Sequence, residues 1–341
     1  MKGVGILTVI ITHTGFLPFS RITSALVGGW VLLIFPYLGG YLFRPQSIFL
    51  FLKSKIYLLA VYFIAAVVSF MAWLFLRNVY PQNLLQSSIT QEMWHFLLGK
   101  SLVFNGPLWF IPAYALSSLT VLFIYPLWQK GRETLRTFIL IFFVISAFFL
   151  LSLKIVFPFS LDIVLLFVVF FFLGIRIREK SPQISLTHIT VLSIVFFASS
   201  FLNGTVDLYE RKLGIYPLFL ICAFSGIFLI QLLVMRLNAR KSVSRFFAYC
   251  GRHSLLLLVA HWPVIQWTSY ALTLMGWPKL IGANPTITSF WLPHSGEPVI
   301  RAYVFGFLFL YLASVFIFSF SFRLTYCKLF AIIKPWIYKI N

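Results

Sequence analysis

Apolar residues fill this chain in long blocks, separated by short gaps where Pro, Gly and charged residues collect. A bilayer's hydrocarbon core takes about 20 apolar residues per helix, and a segment crossing it must satisfy its own backbone polar groups, so blocks of this length predict membrane-spanning helices. Dividing the chain at its gaps predicts ten of them. They run from Gly3 to Leu17, Ala25 to Phe43, Ile56 to Leu76, Leu102 to Trp128, Phe138 to Leu153, Leu161 to Ile175, Ile189 to Leu202, Tyr216 to Met235, Ser254 to Leu274 and Tyr303 to Phe322. The first block ends at Thr14-Gly15-Phe16-Leu17-Pro18 without a small-x-small cleavage pattern, so it is expected to be a membrane helix and not a cleaved signal. A single membrane domain over residues 1–341, with no appended soluble domain, is the expected organisation.

Composition agrees with this division. Of the 341 residues 61% are hydrophobic and only 10% charged, with a mean hydropathy of +0.97, whereas a soluble domain carries roughly 25% charged residues. The net charge of +20 invites a nucleic-acid reading. Such a partner needs basic groups gathered on one solvated face, and here Lys and Arg stand singly between apolar blocks, so no nucleic-acid binding is expected. The charge reports orientation instead. With the amino terminus in the cytoplasm, nineteen of the 27 Lys and Arg residues fall inside and eight outside, the asymmetry expected of cytoplasmic loops. The expected fold is thus an all-α, polytopic protein of the cell (inner) membrane with about ten transmembrane helices, multi-pass, both termini cytoplasmic, embedded among membrane lipids. Cys222, Cys250 and Cys327 are too scattered for a disulfide framework or a structural zinc site, and no metal is expected.

An ionisable residue inside an apolar span is costly, which makes each one a functional candidate. His13 lies eleven residues after Lys2, about 16 Å along a helix and on nearly the same face. A cation at the cytoplasmic mouth and an imidazole at mid-membrane look like two ends of one channel. His261 lies nine residues beyond Arg252, about 13 Å in, at a similar depth. Two imidazoles at one depth could share a site, or each could bond a Ser or carbonyl of a neighbouring helix. Between Phe104 and Pro112, two prolines and a glycine predict a broken helix start, tolerable where protein or a watery cavity satisfies the freed backbone groups. That places Asn105 and Trp109 near the outer mouth, Trp109 suited either to a sugar face or to interfacial packing. Two long gaps, Asn78 to Ser101 and Trp277 to Arg301, hold Glu92, His95, His294 and Glu297 on the outer side and suggest a binding surface there.

These elements, in this order, resemble the acyltransferase-3 family of membrane acyltransferases, in particular its sugar O-acetyltransferase branch similar to fucose 4-O-acetylase. The likeness rests on the Lys2 to His13 signature, on Phe35-Pro36-Tyr37-Leu38-Gly39-Gly40-Tyr41-Leu42, on the basic segment Lys53 to Tyr62, on Pro107 to Phe110, and on Gly251 to Pro263. Lys2 stands where arginine is more frequent, Gly39 where serine is usual, and Val61 where the third-helix motif has proline.

The resemblance implies transfer of an acetyl group from cytoplasmic acetyl-CoA, a co-substrate, to a hydroxyl of a cell-surface glycan of O-antigen, exopolysaccharide or capsule type, free or lipid-linked. Lys2, Lys53, Lys55 and Arg252 would neutralise the donor's phosphates at the inner mouth. His13 would either take the proton of the sugar hydroxyl or accept the acetyl group itself, and an imidazole suits both. His261 would orient His13 or bind the acceptor. Glu92, Glu297, Asn105 and Trp109 are the expected acceptor contacts. The alternative is a polytopic transporter or flippase of lipid-linked glycans. It is disfavoured by the scarcity of intramembrane acidic residues, Asp162 alone lying near a span, and by the lack of an inverted repeat.

Overall fold

The computed structural model describes residues 1–13, 26–79, 87–180, 186–237 and 241–274. Eleven helices follow one another along the described residues: α1 (Lys2–His13), α2 (Ile34–Tyr41), α3 (Ile48–Val79), α4 (Ile89–Leu97), α5 (Phe110–Lys130), α6 (Glu133–Ser152), α7 (Leu161–Lys180), α8 (Leu186–Asn203), α9 (Tyr216–Leu237), α10 (Lys241–Arg252) and α11 (Ser254–Leu274). Short 3₁₀ turns, Gly106–Trp109 and Pro158–Ser160, lead into α5 and α7. Extended pairing among the described residues is confined to two isolated bridges. Five stretches, Ile48–Arg77, Gly106–Lys130, Glu133–Ser152, Pro158–Lys180 and Tyr216–Arg236, are long and apolar enough to cross a membrane, and Lys2–His13, Thr187–Asn203 and Ser254–Trp267 are shorter apolar helices. The chain is thus an all-α polytopic membrane protein. The expected tenth block, Tyr303 to Phe322, lies outside the described residues, as does Glu297.

Two helices arise from the gaps between apolar blocks. In α4 the Ser88 hydroxyl accepts the Gln91 N–H at 3.0 Å, the first half of a capping box. The other, α10, follows the basic segment after α9 and packs along α1. A third departure is the length of α3, which starts at Ile48 and carries Lys53 and Lys55 in its first turns where a loop was expected.

The core is organised around α7. Its apolar residues surround the whole helix, and 72% of its span is buried against 22% for α6, as a helix enclosed by protein requires. Phe167, Phe170, Phe171 and Phe172 are all buried, with Phe172 stacked on Trp128 at 4.6 Å between ring centres. Small residues let α2 reach the backbone of α7. A Cβ on Gly40 would stand 1.8 Å from the Phe171 carbonyl oxygen, and one on Gly174 would stand 2.0 Å from that of Tyr37. Without a hydrophobic driving force between helices in lipid, such close contact is what holds them together.

Opposite ends of α7 carry opposite solutions for charge. At its carboxyl end Arg176 pairs with Glu133 at 2.7 Å and Glu179 with Arg136 at 3.2 Å, tying α7 to the start of α6. At its amino end Asp162 is fully buried and takes a two-pronged bond from Arg211, at 2.8 and 3.0 Å. Arg211 sits in the hairpin between α8 and α9, closed by paired Asp207 and Lys212, and holds a left-handed φ of 57°. Burial pushes the Asp207 carboxyl above its ordinary value.

Candidate active site

The sequence brings α1 to α10 and α11 through glycine. A Cβ on Gly3 would meet the Phe247 carbonyl oxygen at 2.0 Å and the Gly251 nitrogen at 3.0 Å, so the two backbones touch where α1 begins. This contact sets Lys2 beside Gly251 and directs the far end of α1 at the middle of α11. There His13, the last residue of α1 and half-buried, meets His261, which is fully buried. The His13 Nδ1 and His261 Nε2 atoms are 3.1 Å apart, and the ring centres 5.1 Å.

The bonds around this pair assign its protons. His261 Nδ1 lies 3.1 Å from the Leu257 carbonyl and 2.8 Å from that of Leu258. A carbonyl only accepts, so Nδ1 carries the proton and donates, which leaves Nε2 of a neutral ring as an acceptor. That acceptor faces His13 Nδ1, which must then be the donor. The consequence is a His13 Nε2 that carries a lone pair and has no hydrogen-bond partner among the described residues, which is what a general base or an acyl-accepting nucleophile needs. The Trp262 ring closes one side of His13 edge-on, with centres 5.5 Å apart at 86°.

The broken start of α5 lies against this site. The Val103 carbonyl accepts from Trp262 Nε1 at 3.2 Å and from Gln266 Nε2 at 3.0 Å. Asn105, fully buried, donates through Nδ2 to the Ser69 hydroxyl at 2.9 Å and to the Val259 carbonyl at 2.8 Å. Glu92 is 1% exposed. Its carboxylate accepts the Val103 N–H at 2.9 Å and the Ser87 hydroxyl at 2.6 Å. Glu92 is therefore not the solvated loop residue its position suggested, and its oxygens and the Asn105 amide nitrogen are spent on the fold. Trp109 is buried as well, packed against Tyr209 of the hairpin with ring centres 5.7 Å apart. Trp262, Gln266 and Ser69 were not singled out by sequence. The signal for the first two was the Pro263 beside them, which breaks the hydrogen-bond ladder of α11.

At the far end of α1 the cations divide. Lys2 lies within electrostatic reach of Lys55, whose ammonium stands over the rings of Phe51 at 4.8 Å and Tyr114 at 5.5 Å. Among the described residues no ion pair joins either lysine to a carboxylate. Lys53 is half-buried on the same helix, and Arg252 is exposed at the end of α10. The structure thus brings His13 together with His261 at one end of a short helix whose other end carries Lys2.

Comparison with known proteins bears on this arrangement. No curated protein and no solved structure gives a significant match. The family described as an acyltransferase domain, Acyl_transf_3, matches residues 1–324, a stretch that includes the histidine pair, the lysine pair and the Val103–Asn105 clip. With nearly the whole chain matched, the protein belongs to the acyltransferase-3 family and is a membrane acyltransferase.

Proposed function

We propose that the protein is an O-acetyltransferase of the cell (inner) membrane that moves an acetyl group from cytoplasmic acetyl-CoA to a hydroxyl of a cell-surface glycan. The observation that carries this reading is the pairing of His13 with His261, which leaves His13 Nε2 without a partner among the described residues, at a depth that CoA's long arm can reach from Lys2 and Lys55. Lys2 and Lys55, free of carboxylate partners among the described residues, suit the donor's phosphates. As a base, Nε2 takes the proton of the acceptor hydroxyl while its oxygen attacks the thioester carbonyl. The C–S bond then breaks, and the thiolate of CoA leaves with that proton. As a nucleophile, Nε2 attacks the thioester carbonyl and expels CoA as its thiolate, and the acceptor oxygen then takes the acetyl group from Nε2 while its proton goes to the thiolate, which restores the neutral imidazole. In both routes the positive charge that forms on His13 is shared through Nδ1 with His261. On this reading the protein is multi-pass with both termini in the cytoplasm, and it meets its donor at the cytoplasmic face and its acceptor at the opposite one.

The test uses membranes containing the protein and acetyl-CoA labelled in its acetyl group. Label should pass to the glycan fraction with release of CoA, and His13→Ala should abolish both while the protein still accumulates in the membrane. Retained transfer in that variant would overturn the reading. Label held on the protein when no glycan is present marks the acetyl-histidine route, and its absence marks direct attack.

A further inference from the structure

Helix α11 contains Pro263, two residues beyond His261. In an α-helix each carbonyl is bonded by the N–H four residues on, and the partner due to Val259 is residue 263. Proline has no N–H, so the Val259 carbonyl loses its helix donor in a fully buried part of the protein, where an unpaired carbonyl costs about 1–3 kcal/mol. Asn105 supplies the missing bond. Its Nδ2 reaches the Val259 oxygen at 2.8 Å and holds the Ser69 hydroxyl of α3 with its other hydrogen. Two residues earlier the Val103 carbonyl takes Trp262 Nε1 and Gln266 Nε2, while Glu92 fixes the Val103 N–H from behind. Residues 259, 262 and 266 recur at the spacing of one helix face. The strand of backbone from 103 to 105 therefore grips α11 on either side of the turn that carries His261.

We infer that Asn105 is a positioning residue for the histidine pair, acting through the Val259 carbonyl that Pro263 leaves without a helix donor. The Nδ1 bonds of His261 fall on Leu257 and Leu258, the residues adjoining Val259, so a shift of this turn moves the acceptors that fix its tautomer. The bond to Val259 is specific to a side chain with an N–H to give. It also explains why an amide stands at a position that is fully buried. The kinetic consequence rests on the acyl-transfer reading; the structural consequence does not.

Both are tested on the full chain in nanodiscs. With histidine labelled in its ring nitrogens, NMR of the wild type should show His13 and His261 as Nδ1–H tautomers coupled through their shared bond. Asn105→Ala should shift or broaden the His261 signals, and adding Pro263→Ala, which returns an N–H to the helix, should restore them. In CoA release from acetyl-CoA, Asn105→Ala should lower kcat by about 10- to 100-fold, the scale of a misplaced catalytic group, with the KM for acetyl-CoA held within about twofold. In the Pro263→Ala background the same substitution should cost less than about threefold, because the carbonyl it serves is already paired. Unchanged ring signals in Asn105→Ala, or equal losses in both backgrounds, would overturn the inference. If Asn105→Ala does not accumulate, recovery of folded protein in the double variant supports the inference and its failure to recover overturns it. A wild type that releases no CoA while the NMR pattern holds would refute the acyl-transfer reading and leave the positioning role standing.

Discussion

His13 and His261 stand 248 residues apart in sequence and share one hydrogen bond of 3.1 Å, with His261 as acceptor. The direction of that bond decides what each ring does. His261 has both nitrogens engaged, one on helix carbonyls and one on its partner, and so holds His13 in a single tautomer. His261→Ala removes the acceptor and lets the His13 proton move to either nitrogen. We expect kcat for CoA release to fall by about 10²-fold, at the lower end of what loss of a general base costs, with His13→Ala falling further. The KM for acetyl-CoA should not change, since the donor's phosphates bind elsewhere. Wild-type turnover in His261→Ala would show that the pairing has no catalytic role.

Gly40 and Gly106 separate tight packing from open space. Gly40 faces the Phe171 carbonyl oxygen with room for no side chain, its Cβ position being 1.8 Å away. Gly40→Ala must force α2 away from α7, and overpacking of this kind costs about 1–3 kcal/mol or more. Gly106, by contrast, has nothing nearer than 3.5 Å to a Cβ. Gly106→Ala should unfold in detergent at the wild-type temperature, while Gly40→Ala should unfold earlier. The reverse order would place the tight contact elsewhere.

Much of the fold was legible because each membrane span must be apolar over its full length, and His13 and His261 were legible because a fixed rise per residue turns sequence distance into depth. The Ser254 to Leu274 helix appears with the expected bounds, and the broken start before α5 appears as the 106–109 turn. What escaped was lateral arrangement. A helix facing lipid and one facing protein are equally apolar, so nothing in its composition marked α7 as the enclosed one. Glu92 escaped because its partner is a backbone N–H, which no residue type announces. The Ser88-x-x-Gln91 spacing is the signal that would have marked the helix that carries it.

The lysines divide by geometry where sequence treated them alike. Lys55 lies over aromatic faces, and Lys2 and Lys55 lack carboxylate partners among the described residues. On the acetyl-CoA reading, Lys2→Ala and Lys55→Ala should each raise the KM for acetyl-CoA by about 5- to 10-fold, the scale of one charge-assisted phosphate contact of about 1–1.4 kcal/mol. Steady-state kinetics with acetyl-CoA varied at fixed acceptor decides this. An unchanged KM in Lys2→Ala would remove that residue from the donor site.

The Asp162 and Arg211 pair carries the last expectation. Both side chains are essentially unexposed, at 0% and 1%. Taking one partner away leaves the other charge buried, which costs about 3–5 kcal/mol, whereas replacing both with apolar residues of similar size is often close to neutral. Asp162→Ala and Arg211→Ala should therefore each lower stability markedly, and Asp162→Leu combined with Arg211→Leu should recover at least half of the loss. Equilibrium unfolding in SDS, followed by tryptophan fluorescence, reads this directly. Trp109 adds a local report, because Arg211 also lies over the Tyr209 ring that covers it, 5.7 Å from ring centre to guanidinium carbon. Releasing Arg211 frees the hairpin, so Trp109 emission should shift to longer wavelength in Asp162→Ala before global unfolding begins. Single variants that lose less than about 1 kcal/mol would mean that the pair is solvated like a surface ion pair and does not latch the hairpin.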